Sequence, residues 1–137
     1  MTLPLALQKF RERPLMYISN ETFGEVVAFI SGFDVASHGG TLGGFREWLI
    51  VKFDGGNNLS WSALVLDCFA LQQPGAGKLV TASDNLAAIA YLFETLDQFM
   101  NEQRTPEGVR RVYVRYQQWL RRQSWYGPKS VDWIDEG

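Results

Sequence analysis

Apolar side chains recur along most of the chain at intervals of three and four residues, a spacing that places them on one face of an α-helix. The clearest stripe lies near residues 83–103, where the intervals between apolar residues are 3, 4, 3 and 4. Its members are Leu86, Ile89, Phe93, Leu96 and Met100. Such a stripe needs a partner helix to bury it, so a helical bundle or globule is predicted.

Residues that can cap helices stand before several of these stripes. Thr22 with Glu25 fits a capping box, in which the side chain of each residue accepts from the backbone of the other. Ser83 is a suitable N-cap for the helix that carries the clearest stripe, and Thr41 for a helix that continues through Phe53. Thr105 is a suitable cap for a sixth helix and is followed by a proline, a residue favoured at the first helical position. An N-terminal helix over residues 3–12 is also predicted, because Pro14 disfavours its continuation.

The segment 59–71 has two interpretations. Trp61, Leu64, Val65 and Cys68 have helical spacing, and Ser60 or Asn58 can serve as the cap. The continuous apolar run within it is also typical of a buried strand. Helix is the preferred interpretation, and the strand stays open at this point.

These patterns together predict an all-α protein, an irregular globule of about six helices. The last two helices are expected to form a C-terminal antiparallel helical hairpin, because only a few residues separate them. The chain has 137 residues, which suits one domain. We expect that domain over residues 1–128 and a C-terminal tail over residues 129–137.

Composition indicates a globular, cytoplasmic protein. Apolar residues make up 46% of the chain, which has no signal-peptide pattern and no apolar run long enough to cross a membrane. Cys68 is the one cysteine, so an internal disulfide is excluded, and its apolar neighbours indicate a buried side chain.

The sequence offers no catalytic, cofactor-binding or metal-binding constellation. His38 is the one histidine and lies at a predicted helix end, without the second ligand that a histidine metal site needs. The glycines around residues 75–78 lack the first glycine and the Ser or Thr of a phosphate-binding loop. We therefore expect no enzyme, no cofactor and no small-molecule ligand.

Charge is unevenly distributed. Residues 21–102 carry ten acidic and three basic side chains, whereas residues 103–131 carry seven basic side chains and one acidic. The Arg-rich helix expected over residues 106–126 suggests a regulatory or adaptor domain that binds nucleic acid or a host protein. Nucleic acid is disfavoured, because the acidic body would repel phosphates and the aromatic residues of that helix fall on its apolar arc.

A stretch near the N-terminus resembles a known class of proteins. The run from Phe10 to Ile18 contains Arg13-Pro14-Leu15-Met16-Tyr17-Ile18, and a helix ending in a Gly-aromatic pair follows; residues 44–49 read Gly-Phe-Arg-Glu-Trp-Leu. These features resemble bacterial immunity proteins of polymorphic or contact-dependent growth inhibition toxin systems. The resemblance covers about residues 5–70.

The resemblance implies binding rather than catalysis: the protein would bind and neutralise the C-terminal domain of its cognate toxin. Many toxins of this class are nucleases, whose basic surfaces an acidic partner complements. No family motif assigns contact residues. We select Glu47, Asp54, Glu94 and Asp97 for partner binding, because each is expected to face outward. Because Glu94 and Asp97 lie three residues apart on one helix, an acid–base pair or a pair of metal ligands is the other possibility, and a solvated acidic face is preferred to it.

Overall fold

The computed structural model describes residues 3–75, 78–130 and 133, and this part of the chain is all-α with no β-strand. A 3-10 turn, Pro14–Met16, separates the first two of six helices. The helices are α1 (Leu5–Glu12), α2 (Phe23–Ala36), α3 (Phe45–Phe53), α4 (Trp61–Gln72), α5 (Ala82–Gln103) and α6 (Gly108–Arg121). The predicted fold class is confirmed, and so is the choice of helix over strand for 59–71, with Ser60 as the cap.

Four of the helices close a ring around the core. α3 packs against α4 and α6, and α5 packs against the same two helices from the other side. α2 lies against the outside of α5. The interior is filled by large side chains that are fully buried, among them Phe45, Leu49, Leu64, Leu96 and Phe99.

The helices α3 and α6 approach most closely at Gly44. Its φ of 89° lies in the left-handed region, and a Cβ there would stand 3.3 Å from a methyl group of Val112. Glycine meets both requirements. At the other end of α3, the Trp119 Nε1–H donates to Asp54 Oδ1 over 2.7 Å. The starts of the two helices meet and so do their ends, which means that they run in the same direction.

Four predicted helix starts are wrong. The α1 helix begins at Leu5 rather than at residue 3. The α5 helix begins after Thr81, not Ser83, because Thr81 and Asp84 form a complete capping box two residues earlier. The α3 helix begins after Gly44: Thr41 is buried and its hydroxyl lies 3.0 Å from that of Ser37.

The start of α6 was predicted at Thr105 and Pro106, but the helix begins at Gly108. The Thr105 hydroxyl instead donates to Glu102 O over 2.7 Å, so it satisfies a carbonyl at the end of α5. The helix ends at Arg121, before the predicted end at residue 126.

Two predicted details are only partly right. Thr22 Oγ1 accepts from the Glu25 amide as expected, but the Glu25 carboxylate accepts from the Ser19 amide and the Thr22 hydroxyl rather than from the Thr22 amide. Leu86 was predicted on the apolar stripe of α5, and the aromatic residues of α6, Tyr113 among them, on its apolar arc. Leu86 and Tyr113 are nevertheless substantially exposed, because the buried arcs of both helices are centred elsewhere. Of the predicted tail, the structure describes residues 129, 130 and 133, and the rest lies outside the described residues.

Candidate interaction surface

The turn between α1 and α2 presents three consecutive apolar side chains to solvent. Leu15 is 59% exposed, Met16 70% and Tyr17 48%. Monomeric proteins expose single apolar residues commonly, but contiguous patches of them mark interaction sites. This turn belongs to the segment on which the sequence-based prediction of an immunity protein rests.

Backbone hydrogen bonds hold the turn in one shape. The amides of Tyr17 and Ile18 both donate to Pro14 O, over 2.9 and 3.0 Å, and the Met16 amide donates to Arg13 O over 3.1 Å. Pro14 fixes its own φ and occupies the first position of the 3-10 turn, where its missing N–H costs nothing. The exposed side chains are therefore displayed on an ordered backbone.

Aromatic packing attaches this turn to the core. Phe10 is fully buried and stacks on Phe29, with 4.0 Å between ring centroids. The Tyr17 ring meets both of them edge-on, at 5.8 Å from Phe10 and 5.4 Å from Phe29. Edge-to-face pairs of this kind contribute about 0.5–1.5 kcal/mol beyond burial. One side of Tyr17 thus anchors the turn, while nearly half of the residue remains accessible.

A cleft lies beside the turn, which we call the Pro14 cleft. It is mostly apolar, and it is lined by Arg11, Pro14, Glu21, Val26, Leu86, Ile89, Ala90 and Phe93. The position of α2 beside it is fixed by Asn85, whose side-chain oxygen accepts from the Phe23 amide over 2.8 Å. The turn and the cleft together offer apolar surface in both convex and concave form.

Charged groups at this cleft are partly neutralised within the chain. The Arg11 guanidinium lies 5.1 Å from the centre of the Phe93 ring and donates to Asp97 Oδ2 over 3.0 Å. Glu21 lines the cleft and is exposed. Glu94 follows one turn after Ala90 on α5 and is also exposed. Glu21 and Glu94 therefore add negative charge around a surface whose one lining cation is already paired.

The structure places the four predicted contact residues in different environments. Glu94 faces solvent as expected. Asp97, three residues away on the same helix, forms an ion pair with Arg11, and Asp54 accepts a hydrogen bond from the Trp119 indole. Glu47 is half-buried near Tyr113; partial burial of the Tyr113 side chain, and secondarily the negative charge of Glu47, raise the pKa of that tyrosine above its ordinary value. Asp54 and Asp97 thus have structural roles that outward orientation alone did not suggest.

No protein-family model matches the chain, and comparisons with curated proteins and with solved structures return no significant match. The resemblance to immunity proteins therefore stays a prediction. What the geometry adds to it is a defined surface in the segment that carries the resemblance.

Other candidates from the sequence have ordinary surroundings. Cys68 is buried, and this burial raises the pKa of its thiol above 9.0. His38 is exposed in a left-handed turn, where its amide donates to Val35 O over 3.1 Å. Among the described residues, no group of acidic, histidine or cysteine side chains has the arrangement of a metal site. Within the same residues, no helix is long and apolar enough to span a membrane.

Sequence reasoning identified the segment of the turn but not its exposure. Leu15, Met16 and Tyr17 are consecutive and apolar, and they follow a proline that interrupts the helical pattern. A run of three apolar residues outside any periodic stripe has no predicted face on which to be buried. That mismatch is the signal that could have marked the turn as a surface.

Proposed function

We propose that the chain is an immunity protein, which binds a cognate bacterial toxin domain and neutralises it through a protein–protein interface centred on the exposed turn. The observation that carries the proposal is the display of Leu15, Met16 and Tyr17 on an ordered turn beside the Pro14 cleft. The resemblance of residues 5–70 to immunity proteins supports it independently of this geometry.

The surface fits a protein partner in its physical character. Apolar anchors surrounded by polar residues are typical of the centre of a protein–protein interface. Because hydrogen bonds and ring contacts already order the turn, little conformational entropy is lost when a partner docks. Neutralisation then requires only that the bound chain covers the active site or the substrate surface of the toxin.

Charge supplies the second element of the proposal. The exposed carboxylates Glu21 and Glu94 lie on or near the cleft, and residues 21–102 as a whole carry net −7. Such a surface accelerates association with a basic partner, and a nuclease is basic where it holds phosphate. A basic toxin domain is therefore the proposed partner.

The test is co-expression with the protein encoded directly upstream in the native genome. The expected result is a stoichiometric complex with the C-terminal domain of that protein and survival of cells that otherwise die from its expression. Absence of both the complex and the protection would refute the proposal. Recovery of nucleic acid without protection would favour the alternative adaptor role for the Arg-rich helix, whose arginines are exposed in the structure.

A matched pair of variants tests the surface itself. Met16→Asp places a charge among the apolar anchors, whereas Val80→Asp places the same charge at a site 84% exposed in the link before α5. An interface anchor is worth about 2 kcal/mol or more, so Met16→Asp should weaken binding about thirtyfold or more. Val80→Asp should leave binding unchanged. Equal affinities for the two variants would show that the interface lies elsewhere.

A charge-reversal pair tests the electrostatic contribution. Glu94→Lys should slow association with the toxin domain, and the difference from the unmodified chain should shrink as salt is added. Asp67→Lys, on the exposed side of α4, is the control with the same change of net charge. Equal slowing by both variants would mean that overall charge matters and the position of Glu94 does not.

A further inference from the structure

A second cleft lies between α3 and α6, in a part of the molecule separate from the turn. It has a volume of about 140 Å³ and is lined by Trp48, Val51, Lys52, Val112 and Arg115. We call it the Trp48 cleft. Apart from the two cationic groups, its walls are the indole ring and two valines, so it suits an apolar side chain.

A single carboxylate shapes this cleft. Glu102, near the end of α5, accepts from Trp48 Nε1 over 2.9 Å with one oxygen and pairs with Arg115 through the other. The indole and the guanidinium are therefore held by the same group. A residue of α5 thus orients two of the α3 and α6 side chains that line the cleft.

The electrostatics of the cleft favour an anionic ligand. The Lys52 amine lies 5.1 Å from the Trp48 ring centre and donates to the amide oxygen of Gln98 over 3.1 Å. Both of these partners are neutral, so neither offsets the positive charge of Lys52. The helix α6 carries four arginines and no acidic residue: Arg110, Arg111, Arg115 and Arg121. Two of them are paired with carboxylates, Arg110 with Glu107 and Arg115 with Glu102. Arg111, one turn before Arg115, donates to the neutral hydroxyl of Thr105.

We propose that the Trp48 cleft binds an acidic amphipathic segment of a protein, in which an apolar side chain enters the cleft and flanking carboxylates meet Lys52 and Arg111. Apolar burial and charge complementarity then act on the same ligand. This partner is opposite in charge to the basic toxin domain of the proposed function, and the inference does not depend on that function.

An acidic protein segment fits better than a nucleic acid. Nucleic-acid surfaces that bind single strands combine cations with several exposed aromatic rings on which bases stack. Here Tyr116 and Trp119 are buried, and the cleft is a recess rather than a platform. A phosphate backbone would gain from the arginines but would leave the apolar recess unfilled.

The test uses the full chain labelled with ¹⁵N and three probes. The first is a short glutamate-rich peptide with leucines along one helical face, the second has serines in place of those leucines, and the third is a single-stranded oligonucleotide of equal charge. The leucine peptide should shift the indole N–H resonance of Trp48 and leave that of Trp61 in place. It should bind about tenfold more tightly than the serine peptide, and salt should weaken its binding.

Charge reversal locates the site. Lys52→Glu should weaken binding of the leucine peptide about fivefold or more, whereas Lys9→Glu, an exposed position on α1, should not. Circular dichroism checks the fold of both variants. If Lys52→Glu does not fold, the comparison of leucine and serine peptides on the unmodified chain decides.

Four outcomes would overturn the inference. These are equal binding of the two peptides, tighter binding of the oligonucleotide, and no shift at Trp48 with any probe. The fourth is self-association that Lys52→Glu abolishes in sedimentation experiments, since this would assign the cleft to a second copy of the chain.

Discussion

The connection between α5 and α6 gives the sharpest prediction, because it leaves no space for a side chain at Gly108. A Cβ at this position would stand 2.5 Å from Gln103 O and 2.7 Å from Gln103 C, and closer still to Glu102 O. These are backbone atoms at the end of a helix, so they cannot rotate away as a side chain can. Gly108→Ala should therefore force the two helices apart.

The size of the effect follows from the displacement required. Restoring an ordinary contact with Gln103 O means moving it from 2.5 Å to at least 3.4 Å from the new carbon, a shift of about 0.9 Å, and Glu102 O must move further. Over-packing of a rigid site costs about 1–3 kcal/mol, and a backbone clash lies at the upper end of that range. With a urea dependence of about 2 kcal/mol per molar, a loss of about 3 kcal/mol lowers the unfolding midpoint by about 1.5 M.

The assay is urea unfolding followed by circular dichroism, with Gly24→Ala as the control. Gly24 lies in α2, and a Cβ there would meet nothing within 4 Å. Its replacement should stabilise the protein by about 0.5–1 kcal/mol, because alanine is the better helix former. If Gly108→Ala unfolds at the midpoint of the unmodified chain, the close approach of α5 and α6 is wrong.

Three further predictions concern single groups. Glu107 has a φ of 57° and its side chain is exposed, so Glu107→Gly should relieve about 1 kcal/mol of backbone strain and raise the urea midpoint; an unchanged midpoint would contradict this. Because burial raises the pKa of the Cys68 thiol, an alkylating reagent at pH 8 should modify it far more slowly in the native protein than in urea, and equal rates would contradict its burial. Hydrogen bonds from the Thr81 and Val80 backbone amides lower the pKa of Asp84 below 3.8. The loss of unfolding free energy caused by Asp84→Ala should therefore be full above pH 4 and vanish as the pH falls through the lowered pKa. A loss that does not depend on pH would refute the cap.

The helices themselves were predictable because they depend on local periodicity. The residues at which they begin were harder to predict. Thr81 and Ser83 are both suitable N-caps for α5, and the presence of Asp84 three residues after Thr81 decides between them. Thr105 is a good N-cap by type, but tertiary structure uses its hydroxyl at the end of the preceding helix. The first outcome follows from a sequence motif, whereas the second depends on tertiary structure and cannot be derived from residue types alone.

The candidate surface was harder to predict, since an expected outward orientation does not show whether a polar side chain already bonds another residue of the chain. Asp54 and Asp97 are separated from their partners Trp119 and Arg11 by 65 and 86 residues, and such contacts have no local signal. The exposure of Glu94 could be predicted from its position on the helix alone. The apolar turn was visible as a motif, but its exposure depends on how α1 and α2 pack against α5.

The anchoring of the turn also bears on how such a protein can diversify. Phe10 and Phe29 hold the turn from inside, whereas Leu15 and Met16 contribute little buried surface to the fold. Substitutions at exposed positions of this kind usually change stability by no more than about 0.5 kcal/mol. Mutations at these two positions can therefore accumulate with almost no selection against misfolding, and a lineage could change what it recognises while inheriting an unaltered scaffold.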